Sequence, residues 1–198
     1  KDKGRISIWL EPRMAFGTGT HETTQLCLEA IEGLRLPGKS VLDVGTGSGI
    51  LAIACAKLGA AHIIACDIDS NAIKTAYINC RRNQIDSKIS LILCSIESIE
   101  RKRFDLILAN LDGKLIRRQL VSFGRHLKPN GLMIISGMLQ QECIQICQQH
   151  RTQTLRILRR RSKGEWCCLV LGRNLEKIPG QATLDVDVSP MDLLPQIS

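Results

Sequence analysis

Short, nearly continuous apolar segments recur along the chain, separated by stretches in which apolar residues return with helical spacing. Because no regular polar position interrupts the first five of these segments, they are typical of parallel strands that are buried on both faces of a sheet. Two further segments, closer to the C-terminus, are also long enough to form strands. The seven predicted strands are 40–45, 62–67, 89–94, 104–110, 131–136, 154–160 and 165–172.

Helical patterns fill the stretches between the strands. Ser70 is the predicted N-cap of the second helix, whose last turn is basic, as the helix dipole favours. The sequence Lys-Pro-Asn-Gly at 128–131 predicts a turn before strand five. The four helices predicted between strands are 48–59, 70–83, 114–127 and 139–150.

The alternation of strands and helices predicts the fold class. Right-handed connections between successive strands give an α/β fold with a doubly wound, mostly parallel, seven-stranded sheet. Only the residues at 161–164 separate the last two strands, which is too short for a crossover between parallel strands. We therefore expect these two strands to form an antiparallel hairpin at the edge of the sheet.

The length of the chain, 198 residues, fits one domain with a real core. Residues 1–13 begin without an initiator Met or an apolar signal core, and we interpret them as a linker or the end of an upstream segment. The domain itself is expected over 14–173. Residues 174–198 contain three prolines and no clear period, which predicts a tail of low order. No apolar run is long enough to predict a membrane span.

The net charge of +8 is distributed unevenly, with basic clusters at 101–103, 117–118 and 156–163. Solvated helix faces and strand ends are the plainer interpretation of these clusters. Contact with an acidic partner or a ribonucleoprotein particle is the alternative. Aromatic residues make up 3% of the chain, which disfavours a base-stacking platform, so no direct nucleic-acid readout is expected.

The nine cysteines are more typical of buried thiols than of a disulfide or metal framework. There is no C-x-x-C pair, so the sequence supports neither a zinc ribbon nor a thioredoxin-type site. Small buried thiols in a reducing cytosol are the favoured interpretation. A cytoplasmic protein without a bound metal is therefore expected.

A glycine-rich loop in "VLDVGTGSGILAIA", at 41–54, follows the first strand and opens a helix. Glycines at 45, 47 and 49 permit a sharp turn and allow a ligand to approach the backbone. A ribose-binding acidic residue is expected about 20 residues later, at the end of the next strand. Asp67 fits this position, whereas Asp69 lies past the strand end and is expected to begin the next helix. No G-K-[ST] follows the loop, which excludes Walker-type phosphate binding.

The combination of D-x-G-x-G-x-G, a second-strand acid and "FDLILANL" resembles class I S-adenosylmethionine (SAM)-dependent methyltransferases, whose sheet is Rossmann-like. A second motif, "AFGTGTHETT" at 15–24, lies ahead of this domain and resembles the ribosomal protein L11 methyltransferases. "SGILAIACAKLGA", "DIDSNAI" and "KGEWCCLVLGR" agree with that family as well. The likeness extends from about Ile8 to Arg173. The resemblance implies a separate N-terminal domain that recognises the substrate, and residues 1–13 are expected to be at most the end of the linker to it.

The resemblance implies a cofactor site with SAM as its ligand. The glycine loop would cradle the methionine part, Asp67 would bind the ribose, and Asp43 would orient the loop or meet the methionine amino group. In the family pattern the first loop also reaches the cofactor, through Thr24, although helix capping is the alternative for both threonines of this loop. The cofactor-binding residues predicted in this way are Phe16, Thr23, Thr24, Asp43, Gly45, Gly47, Gly49, Asp67, Ser95 near the adenine, and Asn110. Phe16 to Thr24 are expected to lie against the pocket formed by Gly45, Asp67 and Asn110, as a lid hinged at its glycines.

The resemblance places Asn110 beside the methyl group and the target amine, at the end of strand four. Many methyltransferases that modify planar amides or bases have N-P-P-Y at this point, whereas this chain has "NLDG", which favours a flexible aliphatic amine. Asp112 is a second catalytic candidate, because its carboxylate would attract a lysine ammonium or help to deprotonate it. The alternative is that Asp112 is a turn residue that starts the next helix. For His21, an imidazole that orders the loop is favoured over a catalytic base.

These expectations lead to a protein N-methyltransferase that acts on lysine or α-amino groups of ribosomal protein L11 or a similar protein. One alternative keeps the fold and changes the substrate to a small molecule or another protein. Another is a SAM-binding scaffold without catalysis, which would dock through its basic face.

Overall fold

The computed structural model describes residues 5–11, 19–100, 102–149 and 155–173. Phe16, the first part of the first loop, and the tail predicted at 174–198 lie outside the described residues. The segment at 5–11 runs beside the end of the third helix of the chain, where the Asn83 and Asn79 side chains bind the backbone N–H groups of Trp9 and Glu11. Arg82 adds an ion pair with Glu11 at 2.9 Å. The proposed division into linker, domain and tail stays a prediction.

Strands and helices alternate through the described chain, as the hydrophobic pattern predicts. Two short 3-10 turns, Asp86–Lys88 and Ile96–Ser98, flank the third strand. The strands are β1 Ser40–Val44, β2 His62–Asp67, β3 Ile89–Leu93, β4 Phe104–Asn110, β5 Leu127–Leu139, β6 Leu155–Lys163 and β7 Trp166–Arg173. The helices are α1 Glu22–Glu32, α2 Ile50–Lys57, α3 Ser70–Arg82, α4 Gly113–Arg125 and α5 Gln140–Gln149.

The seven strands form one sheet in the order β3-β2-β1-β4-β5-β7-β6. The first five strands pair in parallel, and β7 is antiparallel both to β5 and to β6. The predicted seven-stranded, mostly parallel sheet and its antiparallel C-terminal hairpin are confirmed. Within that hairpin, β7 is an inner strand and β6 is the edge strand.

Apolar side chains cover both faces of the central strands, which explains why their sequences lack a polar period. On β4, Leu106 and Leu108 face a core shared with α1 and α2, whereas Ile107 and Ala109 face a core shared with α4 and α5. The expectation of burial on both faces is wrong for the end of β3, where Leu93 is 56% exposed. The reason is that β3 is the other edge strand of the sheet.

Two local predictions need correction. The predicted turn at 128–131 lies inside β5 as a bulge, since Phe104 pairs with Leu127 and the register then moves to Leu106 and Leu132. Asn130 accommodates the bulge with a φ of 59°, a conformation that asparagine tolerates. The N-cap of α3 is Asp69 rather than Ser70, because the Asp69 carboxylate accepts the N–H of Asn71 at 2.8 Å. The prediction that Asp69 begins this helix is thereby confirmed.

The nine cysteines all lie in the described part of the chain, and all are free thiols. Burial raises the pKa of the Cys66 thiol to about 12, as is usual for a thiol in apolar surroundings. Among the described residues, no group of three His, Cys, Asp or Glu side chains is arranged to hold a metal ion. None of the helices in this part of the structure is long and apolar enough to cross a membrane.

Candidate active site at the carboxyl ends of the strands

A cavity of about 470 Å³ opens where β1, β2 and β4 end, the usual ligand site of a doubly wound sheet. Its volume lies within the range of small-molecule sites, roughly 300–1,000 Å³. Six of the predicted site residues line the cavity: Thr24, Gly45, Gly47, Asp67, Ser95 and Asn110. The sequence patterns did not single out several other lining residues, which include Ile68, Glu97, Leu111, Leu115 and Gln119.

The glycine loop after β1 has a backbone that few other residues adopt. Gly45, Gly47 and Gly49 have φ angles of 69°, 54° and 81°, all in the left-handed region. A Cβ atom on Gly45 would lie 2.3 Å from Cδ2 of Leu111. Gly49 is the N-cap of α2 and packs against Ala76 of α3, so the structure places it behind the cavity wall rather than in it.

Asp67 ties the glycine loop to the loop that follows β2. One carboxylate oxygen accepts the backbone N–H of Gly47 at 3.0 Å, and the other accepts that of Asp69 at 3.0 Å. Each carboxylate oxygen has a second lone pair, so these bonds leave acceptor capacity for further donors. Asp67 is thus fixed in orientation at the wall of the cavity.

Asp43 lies beneath the glycine loop and is fully buried. Burial raises the pKa of its carboxyl group to about 6, and a hydrogen bond from the Thr46 hydroxyl, at 2.7 Å, acts in the opposite direction. Because Asp43 does not line the cavity, its geometry agrees with the first of its two predicted roles, that of orienting the loop.

The start of α1 closes one side of the cavity with Thr24. The Thr24 side chain is fully buried, and its hydroxyl accepts the Nδ2 amide of Asn110 at 3.4 Å. Neither Thr23 nor Thr24 caps the helix, because the N-cap is His21, whose ring accepts the N–H of Thr23. Thr23 is buried behind the cavity with its hydroxyl 2.8 Å from the same ring. The capping alternative for the two threonines is therefore wrong, since the histidine ring takes that place.

The first loop meets the glycine loop at the beginning of α2. Gly19, with a φ of 85°, lies so close to Ile50 that a Cβ atom there would be 3.1 Å from the Ile50 side chain. Ile50 itself lines the cavity. The described end of the first loop thus lies beside the pocket, as predicted for Phe16 to Thr24, and Phe16 lies outside the described residues.

Asn110 ends β4 with its side chain at the cavity wall. Its Nδ2 donates to Thr24, whereas its Oδ1 is buried and has no hydrogen-bond partner among the described residues. A buried carbonyl oxygen without a donor is uncommon, because leaving it unpaired costs about 1–3 kcal/mol. Such an oxygen is suited to accept an N–H group of a ligand.

Leu111, the residue after Asn110, is held between two glycines. Its N–H binds the carbonyl of Ser136 at 3.0 Å, and its side chain lies over Gly45. A Cβ atom on Gly137, where φ is 92°, would lie 2.2 Å from the Leu111 carbonyl oxygen. These close approaches fix the backbone that carries Asn110, and they depend on the register of β4 and β5.

Asp112 lies outside the residues that line the cavity. Its carboxylate accepts the N–H of Leu115 at 3.0 Å and caps α4, and its side chain is exposed. Asp112 therefore starts α4, as the turn interpretation predicts. A role for Asp112 towards the target amine stays a prediction.

Ser95, Glu97 and Gln119 contribute a polar part of the cavity lining. Glu97 accepts a hydrogen bond from Gln119 of α4. The pKa of the Glu97 carboxyl group is lowered first by a hydrogen bond from Ser95 and then by its own backbone N–H and Gln119. This network follows β3, where sequence reasoning identified Ser95 alone, because the partner from α4 lies far away in the sequence.

Comparison with known proteins agrees with this geometry. The sequence model of the family described as ribosomal protein L11 methyltransferase matches residues 1–174. The chain is 38% identical over 165 residues to the ribosomal protein L11 methyltransferase of Desulforamulus reducens, covering 83% of this chain and 54% of that protein. It is 39% identical over 166 residues to the enzyme of the same name from Haemophilus influenzae, covering 84% and 55%.

A solved structure supports the same grouping. The ribosomal protein L11 methylase of Lactobacillus delbrueckii subsp. bulgaricus superposes with a TM-score of 0.79 at 33% identity, covering 88% of this chain and 92% of that one. The chain spans about half the length of the curated relatives that it matches. With these matches and the cavity at the carboxyl ends of its strands, the chain belongs to the ribosomal protein L11 methyltransferase family.

Proposed function

We propose that this protein is a SAM-dependent N-methyltransferase that modifies lysine or α-amino groups of ribosomal protein L11 or of a similar protein. The observation that carries the proposal is the unpartnered, buried Oδ1 of Asn110 in the wall of the cavity. The relatives, which are named ribosomal protein L11 methyltransferase, support the reaction and the substrate.

The residues of the cavity fit SAM as a ligand. Gly45 and Gly47 present backbone without side chains to the space at the end of β1. Asp67 lies beside Gly47, with acceptor capacity left for the hydroxyl groups of a ribose. When bound, SAM supplies a sulfonium methyl group for in-line transfer to a neutral amine.

We assign to Asn110 the role of orienting the target nitrogen. Because its Nδ2 is held by Thr24, its Oδ1 is turned away from α1 and is free to accept one N–H of an incoming amine. Holding that N–H aims the nitrogen lone pair, and alignment of this kind accounts for much of the rate of a bimolecular transfer. A lysine must first lose its ammonium proton, since only the neutral amine has a free lone pair.

The segment after β4 supports an aliphatic amine as substrate. Leu111 follows Asn110 and is occupied in packing against Gly45 and Gly137, so "NLDG" provides no aromatic ring on which a planar base would stack. This arrangement, together with the names of the relatives, favours a protein substrate over direct reading of nucleic acid. We place the reaction in the cytoplasm, where the nine free thiols would stay reduced.

The test is transfer of labelled methyl groups. The full chain is incubated with methyl-labelled SAM and purified ribosomal protein L11, and the labelled residues are identified by mass spectrometry. The matched control is Asn110→Ala, which removes the free acceptor and is expected to lower kcat about a hundredfold. Label in L11 supports the proposal, and label confined to small molecules contradicts it. Absence of SAM binding at high micromolar concentration would contradict the proposal. It would also exclude the alternative of a non-catalytic SAM-binding scaffold.

A further inference from the structure

His21 lies at the start of α1, and its ring contacts both Thr23 and Trp166. Its Nδ1 accepts the backbone N–H of Thr23 at 3.3 Å and lies 2.8 Å from the Thr23 hydroxyl. The same ring packs edge to face against Trp166, with centroids 5.0 Å apart and an interplanar angle of 64°. His21 therefore joins the first turn of a helix near the N-terminus to the first residue of β7.

Capping alone does not explain a histidine at this position. Asn, Asp, Ser and Thr are the preferred N-cap residues, and asparagine would cap α1 without a ring. The imidazole adds an aromatic contact with Trp166, and pairs of this kind are worth about 0.5–1.5 kcal/mol beyond their buried area. A histidine is therefore expected at this position if the ring contact with Trp166 has a role of its own.

Trp166 is a firm support for this contact. It pairs with Leu139 of β5, and its partly buried side chain packs against the core beneath α1. The turn before it is tied to α5, since Gln140 donates its backbone N–H to the Glu165 carbonyl and its side-chain amide to the Gly164 carbonyl, both at 2.9 Å. The strand pairing and these bonds to the preceding turn thus fix the backbone that carries the indole.

A second contact links the same hairpin to α1. Lys163, the last residue of β6, donates to the side chain of Gln25, and the amide of Gln25 donates to the Thr20 carbonyl at 2.9 Å. The β6–β7 hairpin therefore holds the chain on both sides of His21. We name the pair of contacts, His21 with Trp166 and Gln25 with Lys163, the hairpin clamp.

The position of α1 matters for the cavity because of Thr24. Thr24 lies in the first turn, and the distance from its hydroxyl to Nδ2 of Asn110 is 3.4 Å, near the upper limit of a hydrogen bond. A displacement of the first turn by a few tenths of an ångström would therefore release the amide. Once released, the amide is no longer restricted to the orientation that turns Oδ1 towards the substrate.

We propose that His21 is a positioning residue: through its ring contact with Trp166 it fixes the first turn of α1, and thereby the orientation of the Asn110 amide. The kinetic part of this inference rests on the proposed function. Neither ring lines the cavity, so His21 acts through Thr24 and Asn110.

The kinetic test compares variants of the full chain. His21→Asn keeps the N-cap and removes the ring, Trp166→Leu removes the partner ring, and Trp166→Phe keeps an aromatic face. We expect His21→Asn to lower kcat about tenfold or more, with little change in the KM for SAM, because misalignment affects the transfer step. Trp166→Phe is expected to retain most of the activity. His62→Asn is the matched control, since His62 is exposed at the start of β2, which is separated from β7 in the sheet by β1, β4 and β5.

The combination of variants identifies the contact. If the two rings act together, the double variant with His21→Asn and Trp166→Leu is no less active than the less active of the two single variants. Losses that multiply would overturn the inference, as would a His21→Asn variant with the kcat of the unmodified chain. Thermal unfolding of each variant identifies changes that arise from loss of folded protein.

A second readout does not depend on activity. The side-chain NH2 resonances of Asn110 are assigned in a 15N spectrum by their loss in Asn110→Ala. We expect them to shift or broaden in His21→Asn and to stay unchanged in His62→Asn, and unchanged resonances in both variants contradict the inference. If the unmodified chain binds no SAM and transfers no methyl group, the proposed function fails, and these resonances still decide whether His21 positions Asn110.

Discussion

The side chain of Leu111 occupies the space that a side chain at Gly45 would need, with Cδ2 only 2.3 Å from the place of its Cβ atom. Leu111 follows Asn110, and Gly45 begins the loop at the end of β1. The glycine loop and the end of β4 therefore fit together only while position 45 has no side chain. The packing of Leu111 on Gly45 therefore links the proposed cofactor site to Asn110, which we propose orients the target amine.

The Gly45→Ala variant is expected to lose both stability and SAM affinity. Its φ of 69° is unfavourable for alanine, and the new methyl group would push Leu111 away, at a total cost of about 1–3 kcal/mol. Gly38→Ala is the matched control, because Gly38 has a φ of 77° and open space around it. Calorimetric titration with SAM and thermal unfolding measure the two effects. Equal behaviour of the two variants would show that the contact with Leu111 is unimportant.

Replacement of Asp67 by Asn is expected to weaken SAM binding about tenfold to a hundredfold. The amide keeps only one acceptor oxygen, so it cannot hold the N–H groups of both Gly47 and Asp69 and also receive a hydroxyl group. Asp86→Asn, in the turn before β3, removes the same charge far from the cavity and should leave the Kd unchanged. A Kd for Asp67→Asn equal to that of the unmodified chain would remove Asp67 from the site.

The hydroxyl of Thr24 is expected to matter more than its shape. Thr24→Val keeps the volume but leaves Nδ2 of Asn110 without its acceptor, which should destabilise the fold by about 1–3 kcal/mol and lower kcat about tenfold. Thr24→Ser retains the hydroxyl and should preserve most of the turnover. Steady-state kinetics of the two variants separate the effects, and identical kcat values would contradict the role of the hydrogen bond.

Asp112 allows its two interpretations to be separated by one substitution. Asn is as good an N-cap as Asp, so Asp112→Asn should leave the stability of α4 unchanged. If the carboxylate attracts a lysine ammonium, the KM for the protein substrate rises severalfold, since an exposed charge pair contributes up to about 1 kcal/mol. A variant with unchanged KM, turnover and pH profile would leave Asp112 with its capping role alone.

Stability in acid is expected to depend on Asp105, which joins β4 to β1 and β5. Although burial alone would raise its pKa, hydrogen bonds from Lys128 and from Ser40 lower it from 3.8 to about 2. Because the folded state holds this carboxylate ionised, the stabilisation is present above pH 3.8 and is lost as the pH falls towards 2. Asp105→Asn should weaken that acid dependence in chemical unfolding curves between these pH values. An unchanged slope would assign the acid loss to other groups.

Much of the fold follows from local sequence because the strands are apolar and short. β2 and β4 have their predicted bounds, and Asp67 and Asn110 come to one cavity because parallel strands share a carboxyl edge. The local sequence does not predict the bulge in β5, because Lys-Pro-Asn-Gly has the local chemistry of a turn. Only pairing with β4 on both sides of that segment shows that the strand continues.

Contacts between distant segments account for what the sequence did not reveal at the site. The support of Leu111 by Gly137 depends on the register between β4 and β5, which no local pattern encodes. The sequence does not predict the capping role of His21, because histidine is not a preferred N-cap and its partner Trp166, on β7, is distant in the sequence.

Because β7 lies between β5 and β6, the position of β7 affects the order in which the strands can pair while the protein is synthesised. Within the sheet, β6 pairs with β7, so a nascent chain that ends before Trp166 has neither strand in place and leaves the edge of β5 open. Contacts between segments that are distant in the sequence, such as that of Trp166 with His21, form slowly. Synthesis from the N-terminus therefore makes α1 early and Trp166 late, so the hairpin clamp on α1 forms only after β7 has been synthesised, well after the residues that line the cavity.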